Sequence, residues 1–132
     1  MAGEYYNQLM QIKEAYENLE KKIWLEGKMI YKKTEAGIFV PTDISRFYNL
    51  CKYLNMQDFK SYLELGSGDG RITRAASIFT KATGIEIDKE LHKRALSIGN
   101  VPQGRKIGED IFFIHGNYMD YDFSDYDIIY WA

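Results

Sequence analysis

A chain of 132 residues with 45% hydrophobic and 27% charged side chains and two prolines has the composition of one ordinary globular domain, long enough to bury roughly 65% of its unfolded surface. No run approaches the ~18 consecutive apolar residues of a membrane span, and Met1 to Met10, with Glu4 in it, lacks the basic region and apolar core of a secretory signal. The single cysteine, Cys51, excludes an intramolecular disulfide and a multi-cysteine metal site, and suits a reducing, cytoplasmic setting.

The formal net charge of −2 argues against a general nucleic-acid binder. The charge is unevenly spread. All 17 Lys and Arg fall in residues 1–106, with 13 of the 19 acids, whereas residues 107–132 carry the other six (Glu109, Asp110, Asp120, Asp122, Asp125, Asp127). Such a block is either a set of solvated loop carboxylates or an attractor for a cationic substrate.

Tyr5, Leu9, Ile12, Tyr16, Leu19 and Ile23 recur at spacings that keep one helical face apolar. This N-terminal helical extension, residues 1–38, packs on its own domain, covers a ligand site as a lid, or serves as a dimer seam. Gly37 to Val40 reads as a short extended piece. Pro41 disfavours helix at Val40, and Thr42 or Asp43 then caps a helix from Ile44 to Asn55. Cys51 lies on the apolar stripe of that helix, as a buried structural thiol. From residue 61 strands and helices alternate. Strands are expected at Ser61–Leu65, Thr83–Ile87, Ile111–His115 and Asp127–Trp131, and Asp88 caps the helix carrying Leu91 and Ala95. The pattern predicts an α/β, Rossmann-like, mostly parallel sheet in the order 3-2-1-4 with helices on both faces, spanning residues 39–132. Ala132 follows directly on the fourth strand, so a C-terminal part of the domain is expected to be missing or supplied by another chain. The exposed sheet edge and the N-terminal helix are the two candidate surfaces for a homodimer.

Between the first strand of that sheet and its helix stands Gly66-Ser67-Gly68-Asp69-Gly70. Glycines there let a ligand approach the backbone closely. The dinucleotide fingerprint G-x-G-x-x-G would need its third glycine at position 71, which is Arg71, and no Lys-Ser/Thr pair follows Gly70 as a phosphate-binding loop requires. The loop therefore fits a nucleotide-like ligand without a pyrophosphate, and a nicotinamide dehydrogenase is disfavoured. Glu86, at the end of the neighbouring strand, is placed to accept both ribose hydroxyls. The loop after the third strand brings Asn117 to where an adenine ring must lie.

Leu63-Glu64-Leu65-Gly66-Ser67-Gly68-Asp69-Gly70-Arg71-Ile72 followed by Gly84-Ile85-Glu86-Ile87-Asp88 resembles the class I S-adenosylmethionine-dependent methyltransferases over about residues 40–132. With Phe39-Val40-Pro41-Thr42 upstream, it is similar to small archaeal and mitochondrial protein-lysine methyltransferases. The resemblance implies S-adenosyl-L-methionine as cofactor. Glu64, Gly66, Ser67, Gly68 and Gly70 would surround its methionine part, with Thr42 near the carboxylate. Glu86 would hold the ribose and Ile87 the adenine face, while Asn117 and Tyr118 would meet the adenine edge. Many members have Asp where Asn117 stands. Tyr130 and Trp131 fall where the family's substrate-facing motif begins and are the candidates for contacting the methyl acceptor, a protein lysine or a small-molecule nucleophile. Ordinary strand packing is the competing role for this pair.

Neither His92 nor His115 has metal-ligand spacing to a second His or Cys, so no metal is expected. Lys21, Lys22, Lys28, Lys32 and Lys33 form a solvated face or meet an acidic partner. The expected function is methyl transfer. The alternative is a catalytically silent cofactor-binding or oligomerising module completed by a partner chain.

Overall fold

The computed structural model describes residues 2–131; Met1 and Ala132, the end residues of the two expected segments, lie outside them. In chain order come α1 (Ala2–Leu25), β1 (Lys32–Thr34), β2 (Gly37–Phe39), α2 (Ile44–Tyr53), β3 (Ser61–Leu65), α3 (Arg71–Ser77), β4 (Lys81–Glu86), α4 (Lys89–Ser97), β5 (Ile111–His115) and β6 (Ile128–Trp131). The last four strands form one parallel sheet in the order β5-β4-β3-β6. That is the expected 3-2-1-4 order, which brings the carboxyl ends of β3 and β4 together.

Asp43 and Asp88 cap α2 and α4, accepting from Ser45 and Arg46 N–H and from Leu91 N–H respectively. Each satisfies backbone donors that the first helical turn leaves without partners. The helix expected to reach Asn55 ends at Tyr53, and Asn55 turns into the left-handed region with φ 52°. β4 starts at Lys81, two residues before the expected strand, and ends at Glu86. The antiparallel β1–β2 hairpin was not expected as a pair. Its turn is fixed by Thr34, whose hydroxyl donates to Gly37 O at 2.7 Å and accepts from Ala36 N–H.

The apolar seam of α1 packs within this chain. Leu9, Ile12, Tyr16, Leu19 and Ile23 are buried in one core cluster with Phe47 and Cys51 of α2, Ile72 and Ala76 of α3, and Tyr62 of β3. At about 1.5–3 kcal/mol per fully buried aliphatic or aromatic side chain, this seam makes α1 an integral layer of the domain. Tyr5 adds an edge contact to Phe79, ring centroids 4.9 Å apart.

Strand alternation assigns Tyr62, Ala82, Ile128 and Tyr130 to this helix-covered face. Gly70, Ala95 and Phe113 meet on the same side, which places α4 there as well. The opposite face, with Leu63, Leu65, Ile85 and Ile114, is covered instead by Tyr118, Phe123 and Tyr126 from the segment between β5 and β6. Both α3 and α4 thus lie on the first face, because both βαβ crossovers turn with the same hand toward the same side, and the second face carries the short 3-10 turn Tyr118–Asp120.

Candidate functional site

The loop from β3 into α3 carries three glycines in the left-handed region, with φ of 75°, 58° and 84° at Gly66, Gly68 and Gly70. Gly66 and Ser67 both donate their N–H to Ile85 O, at 2.9 and 3.0 Å, tying the start of the loop to β4. Glu86 then fixes its middle. One carboxylate oxygen accepts Gly68 N–H at 2.7 Å and the other accepts Asp88 N–H at 2.8 Å. Each oxygen keeps a further lone pair. The side chain is only 7% exposed, so those acceptors are held by the backbone rather than by solvent.

Glu64 is buried one turn away, accepting from the Thr73 hydroxyl at 2.7 Å. Burial pushes its carboxyl up to about 8, opposed by the Thr73 hydrogen bond and reinforced by Asp69 and Glu86. Asp69, 1% exposed, is paired with Arg71 through Nε at 3.1 Å and a terminal nitrogen at 2.7 Å. The other terminal nitrogen of Arg71 reaches Glu20 of α1 at 3.0 Å. Tyr16, also on α1, donates its hydroxyl to Asp69 O at 2.7 Å.

Glu64, residues 66–69 of the glycine loop, Arg71 and Glu86 line a cleft of about 640 Å³, within the range for a nucleoside-sized ligand. The hairpin from Thr34 to Val40 forms one wall, and the glycine loop with Glu86 and Ile87 forms the opposite one. Asn117, Tyr118 and Met119 close one end, and Trp131 stands at the rim, 72% exposed. A Cβ at Gly66 would meet nothing within 4 Å, so the backbone there is open to a ligand. Three carboxyl groups, Glu64, Asp69 and Glu86, face the cleft with a single cation, Arg71.

Of the expected site residues, Thr42, Glu64, Gly66, Ser67, Gly68, Glu86, Ile87, Asn117, Tyr118 and Trp131 share this lining. Gly70 does not. A Cβ on it would come within 2.7 Å of the Phe113 ring and 2.8 Å of Ala95, so this glycine serves helix–sheet packing. Tyr130 is turned away too, because adjacent strand residues face opposite sides. It packs edge-on against Phe47, centroids 5.2 Å apart, and beside Tyr62. The side-chain oxygen of Asn117 accepts Met119 N–H at 2.9 Å, which spends part of the acceptor capacity expected to face an adenine.

Sequence reasoning missed the hairpin wall and the ion pairs of Arg71. Phe39 lies directly over Gly68, where any Cβ would collide with its ring. The signal was Pro41, which holds Val40 extended at the end of the hairpin. His92 and His115 stack at 5.4 Å beside the cleft, and the His115 ring bonds Ile87 O. Burial, with the His115 charge, lowers the His92 pKa. Cys51 is buried and its thiol is pushed up to about 12 by burial, which makes it inert. Among the described residues no group of three His, Cys, Asp or Glu side chains is arranged to hold a metal.

No protein-family model and no curated protein matches the chain. Among solved structures it is similar to an RNA methyltransferase from Salinibacter ruber in complex with S-adenosyl-L-homocysteine, with 27% identity and a TM-score of 0.57 over 70% of this chain and 60% of that one. It is also similar to a protein-L-isoaspartate O-methyltransferase (17% identity, TM-score 0.56, 76% of this chain and 32% of that one). A third is a putative RNA methyltransferase from Pyrococcus horikoshii (21% identity, TM-score 0.53, 67% of this chain and 42% of that one). The chain spans less than two thirds of the length of each. Its fold is the Rossmann-like fold of the class I methyltransferases.

Proposed function

We propose that the cleft binds S-adenosyl-L-methionine and that the chain belongs to an enzyme transferring its methyl group to a protein lysine or a small-molecule nucleophile. The observation that carries this reading is the charge of the lining. The Glu86 carboxylate, with Asp69 already balanced by Arg71 and Glu64 able to ionise beside a bound cation, suits a ligand with a sulfonium and an ammonium, and repels the pyrophosphate of a dinucleotide. The open backbone at Gly66 and the acceptors of Glu86 fit the ribose and the first atoms of the amino-acid tail.

When bound, the cofactor supplies a methyl on positively charged sulfur, which leaves as a neutral thioether without acid catalysis. The protein's task is alignment and desolvation. Glu86 fixes the sugar through oxygens already oriented by Gly68 and Asp88. The Phe39 ring covers Gly68, and Trp131 at the rim offers an aromatic face to an incoming amine. Burial holds the Glu64 carboxyl up at about 8 in the free cleft, and a cation bound nearby favours its carboxylate.

Two consequences are measurable. Because its folded-state pKa is raised, Glu64 stabilises the ligand-free fold fully below about pH 4.5, and that contribution is lost as pH rises through about 8. Thermal stability of the free protein is expected to fall over that window, and Glu64→Gln is expected to flatten the profile. Binding of the cationic cofactor at pH 7 is expected to release up to about one proton, read by calorimetry in two buffers of different ionisation enthalpy.

The reading itself is tested by titrating the chain with S-adenosylmethionine, S-adenosylhomocysteine and NAD. Micromolar binding of the first two and none of the third is expected, and a preference for NAD would overturn it. A second acceptor class, RNA, is favoured by the 27% identity to the Salinibacter ruber RNA methyltransferase. Transfer of labelled methyl into separated protein, RNA and metabolite fractions distinguishes the acceptors, and label confined to RNA would exclude the lysine.

A further inference from the structure

We propose that Arg71, held in place by Glu20 of the N-terminal helix, anchors the carboxylate of the cofactor's amino-acid tail. The assignment rests on the reading of the cleft as an S-adenosylmethionine site and adds a residue to it. Among the described residues Arg71 is the one cationic side chain in the lining, and the tail carboxylate is the one anionic group of that cofactor.

Position supports the match. A second cavity, of about 600 Å³, lies between α1 and residues 28–44 and shares Val40, Thr42 and Arg71 with the cleft. Among the described residues none from β4 onward lines it. Thr42 and Arg71 therefore mark the end of the cleft remote from Asn117. With the ribose at Glu86 and the base toward Asn117, the tail runs to that end.

The donor count is also right. Of the five guanidinium N–H groups, Nε and one terminal N–H go to Asp69, and one on the other terminal nitrogen goes to Glu20. One N–H on each terminal nitrogen is left, which is the number a carboxylate takes in a two-point contact. The group is pre-organised. Asp69 and Glu20 hold it from two directions, the Tyr16 ring lies 4.8 Å from its central carbon, and the side chain is 9% exposed. Two carboxylates around one guanidinium would resist a third anion, but the tail's ammonium, on the same carbon, brings positive charge toward Glu64 and Asp69. Glu20 acts through Arg71 and is a positioning residue, so α1 becomes part of the binding site.

The test is calorimetric titration with S-adenosylhomocysteine and with its decarboxylated analogue, on the unmodified chain and on Arg71→Lys, Glu20→Gln and Glu86→Ala. The unmodified chain is expected to prefer the carboxylate-bearing ligand by about ten- to hundred-fold, the worth of a charge-assisted pair of hydrogen bonds. In Arg71→Lys, which keeps the charge and loses the planar fork, that preference is expected to shrink by at least about five-fold. Glu20→Gln is expected to reduce it by a smaller factor. Glu86→Ala is expected to weaken both ligands alike and leave the preference intact. Equal affinities in the unmodified chain, or a preference unchanged in Arg71→Lys, would overturn the assignment while leaving the cleft's reading in place. Failure of both ligands to bind the unmodified chain would overturn that reading and this assignment together.

Discussion

Glu86→Ala is expected to lower affinity for S-adenosylhomocysteine by at least about a hundred-fold. Two contributions add in the same direction. The ribose hydroxyls lose charge-assisted acceptors worth about 1.5–3 kcal/mol each. The backbone N–H of Gly68 and that of Asp88 lose their shared carboxylate, so the middle of the glycine loop is no longer tied to the start of α4. The second effect separates Glu86 from a residue that merely touches a ligand. Amide exchange at Gly68 and Asp88 is expected to accelerate in the variant even without ligand, while Leu9 and Ile12 in the main core keep their protection. Glu86→Gln keeps one acceptor oxygen and is expected to lose less. Unchanged affinity in Glu86→Ala would remove the central anchor from the account.

The second large effect concerns stability. Arg74 on α3 is completely buried and, among the described residues, makes no salt bridge to a carboxylate. Its charge is solvated by the carbonyl oxygens of Ala95, Gly99 and Val101, by the Tyr16 hydroxyl, and by the Phe113 ring 5.1 Å away. Ala95 lies in the last turn of α4, where carbonyls lack helical partners and the helix dipole favours a cation. One guanidinium thus joins α1, α3, the end of α4 and β5. Arg74→Ala leaves the buried Ala95 carbonyl and the half-buried Gly99 and Val101 carbonyls without their donor and opens a cavity beneath α3, at a cost of about 3 kcal/mol. That corresponds to a loss of roughly 10 °C in Tm. Arg74→Lys, with one charged nitrogen in place of a fork, is expected to fall between. A Tm change under about 3 °C in Arg74→Ala would contradict this description of the core.

The sheet was legible in the sequence for a physical reason. Ser61–Leu65 and Ile111–His115 are short apolar runs bounded by glycines and acids, and Asp43 and Asp88 are unambiguous helix starts. The seam of α1 was equally legible, because six residues at helical spacing fix a face even when its partner is unknown. Other features depend on parity or distance. Tyr130 and Trp131 are neighbours on one strand, and only the register of β6 on β3 decides which of them faces the helices. Three evenly spaced glycines announce left-handed backbone, but not that Gly66 opens to a ligand while Gly70 makes room for Phe113. Strands of three residues, as in the hairpin, carry no periodicity. The Glu20–Arg71 pair joins residues 51 positions apart and exists only once α1 is packed.

The most direct test of the central claim is amide chemical-shift mapping of the isotope-labelled chain titrated with S-adenosylhomocysteine. Saturable shifts are expected, concentrated at Gly66 to Asp69, Glu86 and Ile87, and Asn117 and Tyr118, with Phe39 and Thr42 on the facing wall. Shifts confined to other surfaces, or no saturable shift in a folded chain, would contradict that claim.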